Sequence, residues 1–239
     1  NFYDKLLYDI IYKMDNKLKK FSSLLRQKKD LMGCIFLTLI FQLVVSVITM
    51  KLDQDKNLLG NFMKTNKYLP QIGLIISFFA IFYGIFKTKS FLTKQLLFGL
   101  LSIIMGFILS SIIHIINDQE LVESAVISTI INFGLMFLLG LVIVYFGYDL
   151  SWLGILLFIG LFVLIAVQVI GMFSPQSDET HKMIAYASVV IFSLYILYDT
   201  NKILLKYQNK SKSDCILGAI DYYLDIINLF EDYLNIGKK

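Results

Sequence analysis

The sequence predicts an all-α integral membrane protein with seven hydrophobic helical segments, and three features of the chain support this. The 239 residues are 57% hydrophobic and 17% charged, with a mean hydropathy of +0.69; soluble domains are roughly 45–50% apolar and about 25% charged. Charged residues mark off apolar stretches long enough to cross a bilayer, ~20 residues rising 1.5 Å each against ~30 Å of hydrocarbon. Two prolines and a formal charge of +4 exclude disorder, which requires low hydrophobicity and high net charge. Two prolines and 14 glycines likewise exclude collagen-like or low-complexity character.

Residues 1–30 read as an amphipathic cytoplasmic helix, because Phe2, Leu6, Leu7, Ile10, Ile11 and Met14 recur at helical spacing with lysines between them. This charged stretch precedes the first span and no small-residue cleavage pattern follows, so a signal peptide is not expected. The membrane domain covers residues 31–236, and 237–239 form a tail. Its first five spans are 31–50, 68–86, 95–117, 124–148 and 150–177. The sixth, 183–201, contains one charge, Asp199; the seventh, about 215–233, is interrupted by Asp221 and Asp225. Cys34 and Cys215 are expected to give no disulfide framework, and Cys34, inside a span, reads as an ordinary packing thiol.

Lysine and arginine in alternate loops set the orientation. Segments on the side of the amino terminus hold fifteen, and the others seven. The positive-inside rule therefore places the amino terminus in the cytoplasm. Seven full crossings put the carboxy terminus outside, whereas a re-entrant seventh segment returns it to the cytoplasm, and both readings stay open.

Ionisable groups inside a bilayer cost ~2.5–3.5 kcal/mol on insertion scales, so each is a functional candidate. Asp221, Asp225, Asn228 and Asp232 fall at i, i+4, i+7 and i+11, one stripe of a helix that must face protein or water. If spans six and seven are antiparallel neighbours, the midpoint between Asp199 and Asp225 is residue 212, inside the turn-like stretch Asn209-Lys210-Ser211-Lys212-Ser213. The two carboxylates then lie at matching depth, with Lys202 and Lys206 snorkelling to the headgroups. Two such carboxylates do not both ionise easily, so they share a proton. When opened and ionised they offer hard oxygen ligands suited to transient calcium binding. The bland alternative is a set of helix-capping or hydroxyl-bonded aspartates. Asp232 and Glu231 are expected to be interfacial and solvated.

Other polar residues have lesser roles. His114, beside Ser110, Ser111 and Asn117, reads as hydrogen-bonded or interfacial, and two histidines give no support to a zinc site. Ser124, Ser128 and Asn132 either border a pore or bond helix to helix. Gly134, Gly140, Gly147, Gly154 and Gly160 permit close helix approach. Trp152 and Tyr148 are interfacial anchors. No nucleotide loop, nucleophile triad or zincin motif appears, so no cofactor and no nucleic-acid partner is expected.

The carboxy-terminal residues carry a resemblance. Leu197-Tyr198-Asp199-Thr200, a spacer, then Ala219-Ile220-Asp221-Tyr222-Tyr223-Leu224-Asp225-Ile226-Ile227-Asn228-Leu229-Phe230 resembles the signature of the Bax inhibitor-1 family, which includes the Golgi anti-apoptotic and lifeguard proteins. Gln42, Ala125, Thr129 and the turn Asp149-Leu150-Ser151-Trp152-Leu153-Gly154 agree more weakly, and the likeness covers residues 26–236. It implies six helices around a central seventh and a calcium leak gated by Asp199 and Asp225; Asp221 stands where the family commonly has a neutral residue and is an auxiliary acid, and Asn228 and Thr200 are auxiliary or pore-lining. It further implies an endoplasmic reticulum, Golgi or other internal membrane and suppression of cell death. The lipid bilayer, calcium ions and Bcl-family or other membrane proteins are the implied partners, and an oligomer is compatible with them.

The chain also departs from the family pattern. Many relatives have an acidic residue in span three where Met105 stands, and some have an arginine in span two that pairs with the gate, while span two here has no charge. The latch is therefore weaker or built differently. The alternative function is a non-conducting membrane protein that suppresses cell death by partner binding, or a structural component of a virion or organelle membrane. An enzyme is not expected: intramembrane aspartyl proteases carry Gly-x-Gly-Asp at the second aspartate, and Leu224 precedes Asp225. Twenty-one lysines against one arginine point to an AT-rich genome, as in a protist or large DNA virus.

Overall fold

A computed structural model describes residues 2–56, 69–173, 177–208 and 211–238. These form seven helices: α1 (Phe2–Lys56), α2 (Leu69–Lys87), α3 (Phe91–Ile116), α4 (Gln119–Phe146), α5 (Leu153–Phe173), α6 (Asp178–Leu205) and α7 (Lys212–Gly237). Asn209 and Lys210 of the expected turn, and part of the first loop used in the charge count, lie outside the described residues. Side-chain oxygens cap several helix starts: Ser90, Asp118, Ser177 and Ser211 each accept from a backbone N–H three residues on, satisfying a donor that has no partner within the helix.

The amphipathic segment and the first span are one helix with no break at residue 30. Much of its early apolar face is exposed, Leu6, Leu7, Ile11 and Met14 included. Contact with the bundle begins further along: Phe21 meets Tyr145 edge to face, with centroids 5.6 Å apart, and Lys28 donates to the carbonyl of Tyr207. Partial burial lowers the Lys28 pKa, and nearby Asp214 opposes that shift.

The seventh helix is the centre of the fold. Residues on all its faces are buried, among them Ile216, Ala219, Ile220, Tyr222, Tyr223 and Leu229, and α7 packs against α1, α3, α4 and α6. Helices α2 and α5 are outer members, α2 leaning on α3 and α5 on α6. Tyr222 packs among Phe36, Phe133 and Phe137, and Tyr223 sits edge-on to Phe98 at 5.2 Å. Large apolar side chains cover the outside, for example Leu156, Phe158 and Phe162 on α5. Five helices, α1 and α3 to α6, are long and apolar enough to cross a membrane. With the exposed apolar perimeter this makes an integral membrane protein.

The packing places both ends of α7 and pairs the cysteines. The α7 helix begins beside α1 and the start of α3, where the Lys94 ammonium donates to Ser213 at 2.8 Å, and ends beside the start of α4, where Gly237 meets Leu121. It runs through the bundle from end to end. The cysteines are not separate thiols: Cys34 and Cys215 form a disulfide between α1 and α7, with Cα atoms 5.8 Å apart. Their separation of 181 residues hid the pairing, which needs α1 and α7 side by side.

Among the glycines, Gly140 allows the closest approach near the carboxylates, since a Cβ there would lie 2.7 Å from Thr200 Cβ. Gly154 does the same against Tyr198. Gly134 faces open space, and Gly147, at φ +86°, ends α4 in the left-handed conformation, so close packing does not explain these two.

Candidate functional site

The polar residues of α6 and α7 meet inside the bundle. Asp199 and Asp225 are each only 3% exposed. Local bonds hold the end of α6 in place: Asn201 Nδ2 donates to the Tyr148 carbonyl at 2.8 Å, and its Oδ1 accepts from the Leu150 N–H at 3.0 Å. In that same turn Ser151 bonds to Asp149 through hydroxyl and backbone amide and holds this exposed carboxyl below the usual carboxylate range. Thr200 Oγ1 bonds to the Ile196 carbonyl at 2.7 Å and to the Tyr222 hydroxyl at 2.9 Å. Thr200 therefore locks α6 to α7 one residue past Asp199, and Gly140 allows α4 to close over it.

Lys202 is the group that the sequence reading misplaced. It does not snorkel away from the site. Its ammonium lies 3.1 Å from Asp199 Oδ1 and 2.7 Å from Asp221 Oδ2. The Tyr207 hydroxyl donates to the same Asp221 oxygen at 2.8 Å. The side chains of Lys202 and Asp221 are each 23% exposed, against 5% for Asp199, so the ion pair sits at one mouth of the buried polar region. Asp225 lies a helical turn beyond Asp221 on α7, and its Oδ2 has no hydrogen-bond partner. The i, i+3 spacing of Asp199 and Lys202 was a visible signal for part of this arrangement; the Asp221 arm depends on helix pairing.

The acidic stripe faces inward as expected: Asp225 and Asp232 are buried, Asp221 and Asn228 half-buried. Asp232 is only 6% exposed, which corrects its reading as a solvated interfacial group. It falls on the face of α7 that meets α6. The Asn228 amide donates to the Leu224 carbonyl at 2.7 Å. Of the span-four polar residues, Asn132 bonds helix to helix: its Nδ2 donates to Ser193 at 2.9 Å and to the Tyr233 hydroxyl at 2.8 Å. His114 and Ser124 are exposed.

A second polar cluster lies on another face of α7. The Ser102 hydroxyl donates to Gln42 Oε1 at 2.9 Å, and Ser46 Oγ lies 2.7 Å from the Tyr223 hydroxyl. Gln42 is fully buried with Nε2 unpaired. Among the described residues no three His, Cys, Asp or Glu side chains assemble into a ready-made metal cage.

Comparison with known proteins agrees with this architecture. The profile of the family described as "Inhibitor of apoptosis-promoting Bax1" matches residues 28–237. The chain belongs to this Bax-inhibitor family. Protein LIFEGUARD 4 of Arabidopsis thaliana is 30% identical over 150 residues, covering 61% of this chain and 57% of the relative. An uncharacterized protein of Helicobacter pylori is 33% identical over 175 residues, 71% of this chain and 70% of its own length. Bax inhibitor 1 of Schizosaccharomyces pombe is 28% identical over 165 residues, 69% and 59% respectively. The match spans less than two thirds of the LIFEGUARD 4 protein and about a third of an Arabidopsis BI1-like protein. Within this Bax-inhibitor chain, Lys202 supplies the cation next to the aspartates that the uncharged second span does not.

Proposed function

We propose that this protein is a pH-sensitive calcium leak of an intracellular membrane, gated by Asp199 and Asp225, with a role in restraining cell death. The observation that supports the reading is the pair of buried carboxylates, one held by a tethered ammonium and the other with an unpartnered oxygen. Charge buried in this way stays only if it is compensated, protonated or bound to a cation. Opening displaces Lys202 from Asp199 and exposes ionised oxygens that suit a hard cation. Acidification protonates the carboxylates and weakens their attraction for calcium, so the leak falls as pH falls. The amino terminus faces the cytoplasm in this reading, in keeping with the lysine distribution. The restraint of cell death rests on the family description and on the name of the fission-yeast relative.

The test is calcium flux from liposomes holding the full chain, compared with Asp225→Asn across acidic to mildly alkaline pH. Wild type should leak more than empty liposomes, and the leak should decrease on acidification. Asp225→Asn should leak less and respond less to pH. Flux equal in the two proteins, or no flux above empty liposomes, refutes the gate.

One observation favours a second reading. The Lys202 ammonium already occupies the place between Asp199 and Asp221, so the site is partly neutralised without any ion. In this non-conducting reading the cluster only braces α6 against α7, and the protein restrains cell death by binding other membrane proteins. A folded Asp199→Asn/Asp225→Asn variant that keeps full protective activity in cells supports it.

A further inference from the structure

The stripe of α7 continues past the proposed gate to a carboxylate that the leak reading does not use. Asp232 lies seven residues beyond Asp225, almost two full turns, so the two side chains leave the same face about 10 Å apart along the axis. Asp232 is 94% buried, its Oδ2 has no hydrogen-bond partner, and Ser188, itself buried, lies on α6, which packs against α7. Between these levels Asn228 commits its Nδ2 to the Leu224 carbonyl, and its Oδ1 is an acceptor. Lys202 compensates the aspartates at the other mouth. Among the described residues, no cation pairs with Asp225 or Asp232.

The geometry points to Asp232, with Ser188, as a second cation-binding station on the same face of α7, taking a partly hydrated divalent cation of the calcium type. The inference rests on the leak reading and deepens it. Asp225 and Asp232 form two weak stations in series, with the Asn228 carbonyl oxygen between them. One carboxylate, one hydroxyl and water make a poor cage and a good stepping place: conduction needs sites strong enough to admit an ion and weak enough to release it. The lack of a three-ligand cage among the described residues suits a permeant ion, which must not be held. Oxygen donors of this kind select hard divalent cations over softer metals.

The experiment uses the full chain in liposomes for calcium flux, and the same protein in nanodiscs titrated with terbium, whose luminescence the neighbouring Tyr233 ring sensitises. Asp232→Asn keeps the shape of the side chain, so it should fold. It should raise the calcium concentration giving half-maximal flux about tenfold, the scale on which ligand charge tunes such sites, and remove part of the terbium signal. Asp232→Glu should restore much of both. Half-maximal calcium and terbium luminescence equal to wild type overturn the station, as does a carboxylate that only exchanges a proton and leaves both unchanged. If Asp232→Asn does not fold, Ser188→Ala decides: reduced terbium signal supports the station and an unchanged signal overturns it. Absence of flux from wild type sinks the leak reading, while the terbium titration still decides the Asp232 site.

Discussion

Replacing Lys202 by Met removes the ammonium shared by Asp199 and Asp221 and keeps the length of the side chain. Breaking a fully buried ion pair costs about 3–5 kcal/mol, because the remaining charge stays desolvated; an exposed pair is worth about 0–1 kcal/mol. Here the Asp199 side chain is 5% exposed while Lys202 and Asp221 are each 23% exposed, and Tyr207 continues to donate to Asp221. The expected loss lies between those limits, about 2 kcal/mol. At ~2–4 °C per kcal/mol for a chain of this size, the melting temperature should fall by about 4–8 °C. The assay is thermal unfolding of the purified protein in nanodiscs, followed by Trp152 fluorescence. Adding Asp221→Asn should restore part of the loss, because the double variant buries one uncompensated charge fewer. In the leak assay Lys202→Met should raise flux near neutral pH, since the ammonium no longer competes with calcium. A variant that melts with wild type and gains nothing from Asp221→Asn refutes the idea that Lys202 neutralises these carboxylates.

Two further outcomes test the packing around the site. Gly140→Ala would place a Cβ 2.7 Å from Thr200 Cβ, so α4 and α6 must separate; a loss of about 1–3 kcal/mol is expected, and melting equal to wild type would contradict the described contact. Cys34→Ser removes the α1 to α7 tether and should cost about 2–4 kcal/mol. Wild type should resist maleimide until reduced, and immediate labelling of both thiols would refute the bond.

The membrane class was legible in the sequence because long apolar runs bounded by charge are a one-dimensional property. Six of the seven hydrophobic segments coincide with described helices to within five residues, the first lies inside the longer α1, and the inward-facing stripe on α7 followed from helical spacing alone. Asp199 and Asp225 were identifiable because any carboxylate in such a run is expensive. Their partners were harder to read. Lys202 looked like a boundary residue since it follows a span by position, yet the crossing of α6 and α7 brings Asp221 to it. Asp232 looked interfacial because it lies near the chain end, but α7 sits in the middle of the bundle and its last turns are covered.

The sequence by itself determined the apolar spans and the polarity of their faces, since each depends on neighbours along the chain. Only the tertiary structure decided which side chains of α7 are buried, that Cys34 meets Cys215, and that Lys202 bridges two aspartates. Those facts depend on which faces meet across distances of up to 181 residues. An apolar helix in a bilayer has many faces of similar hydrophobicity, so close-packed glycines, hydroxyl pairs and buried charges, and not the apolar pattern, select its neighbours.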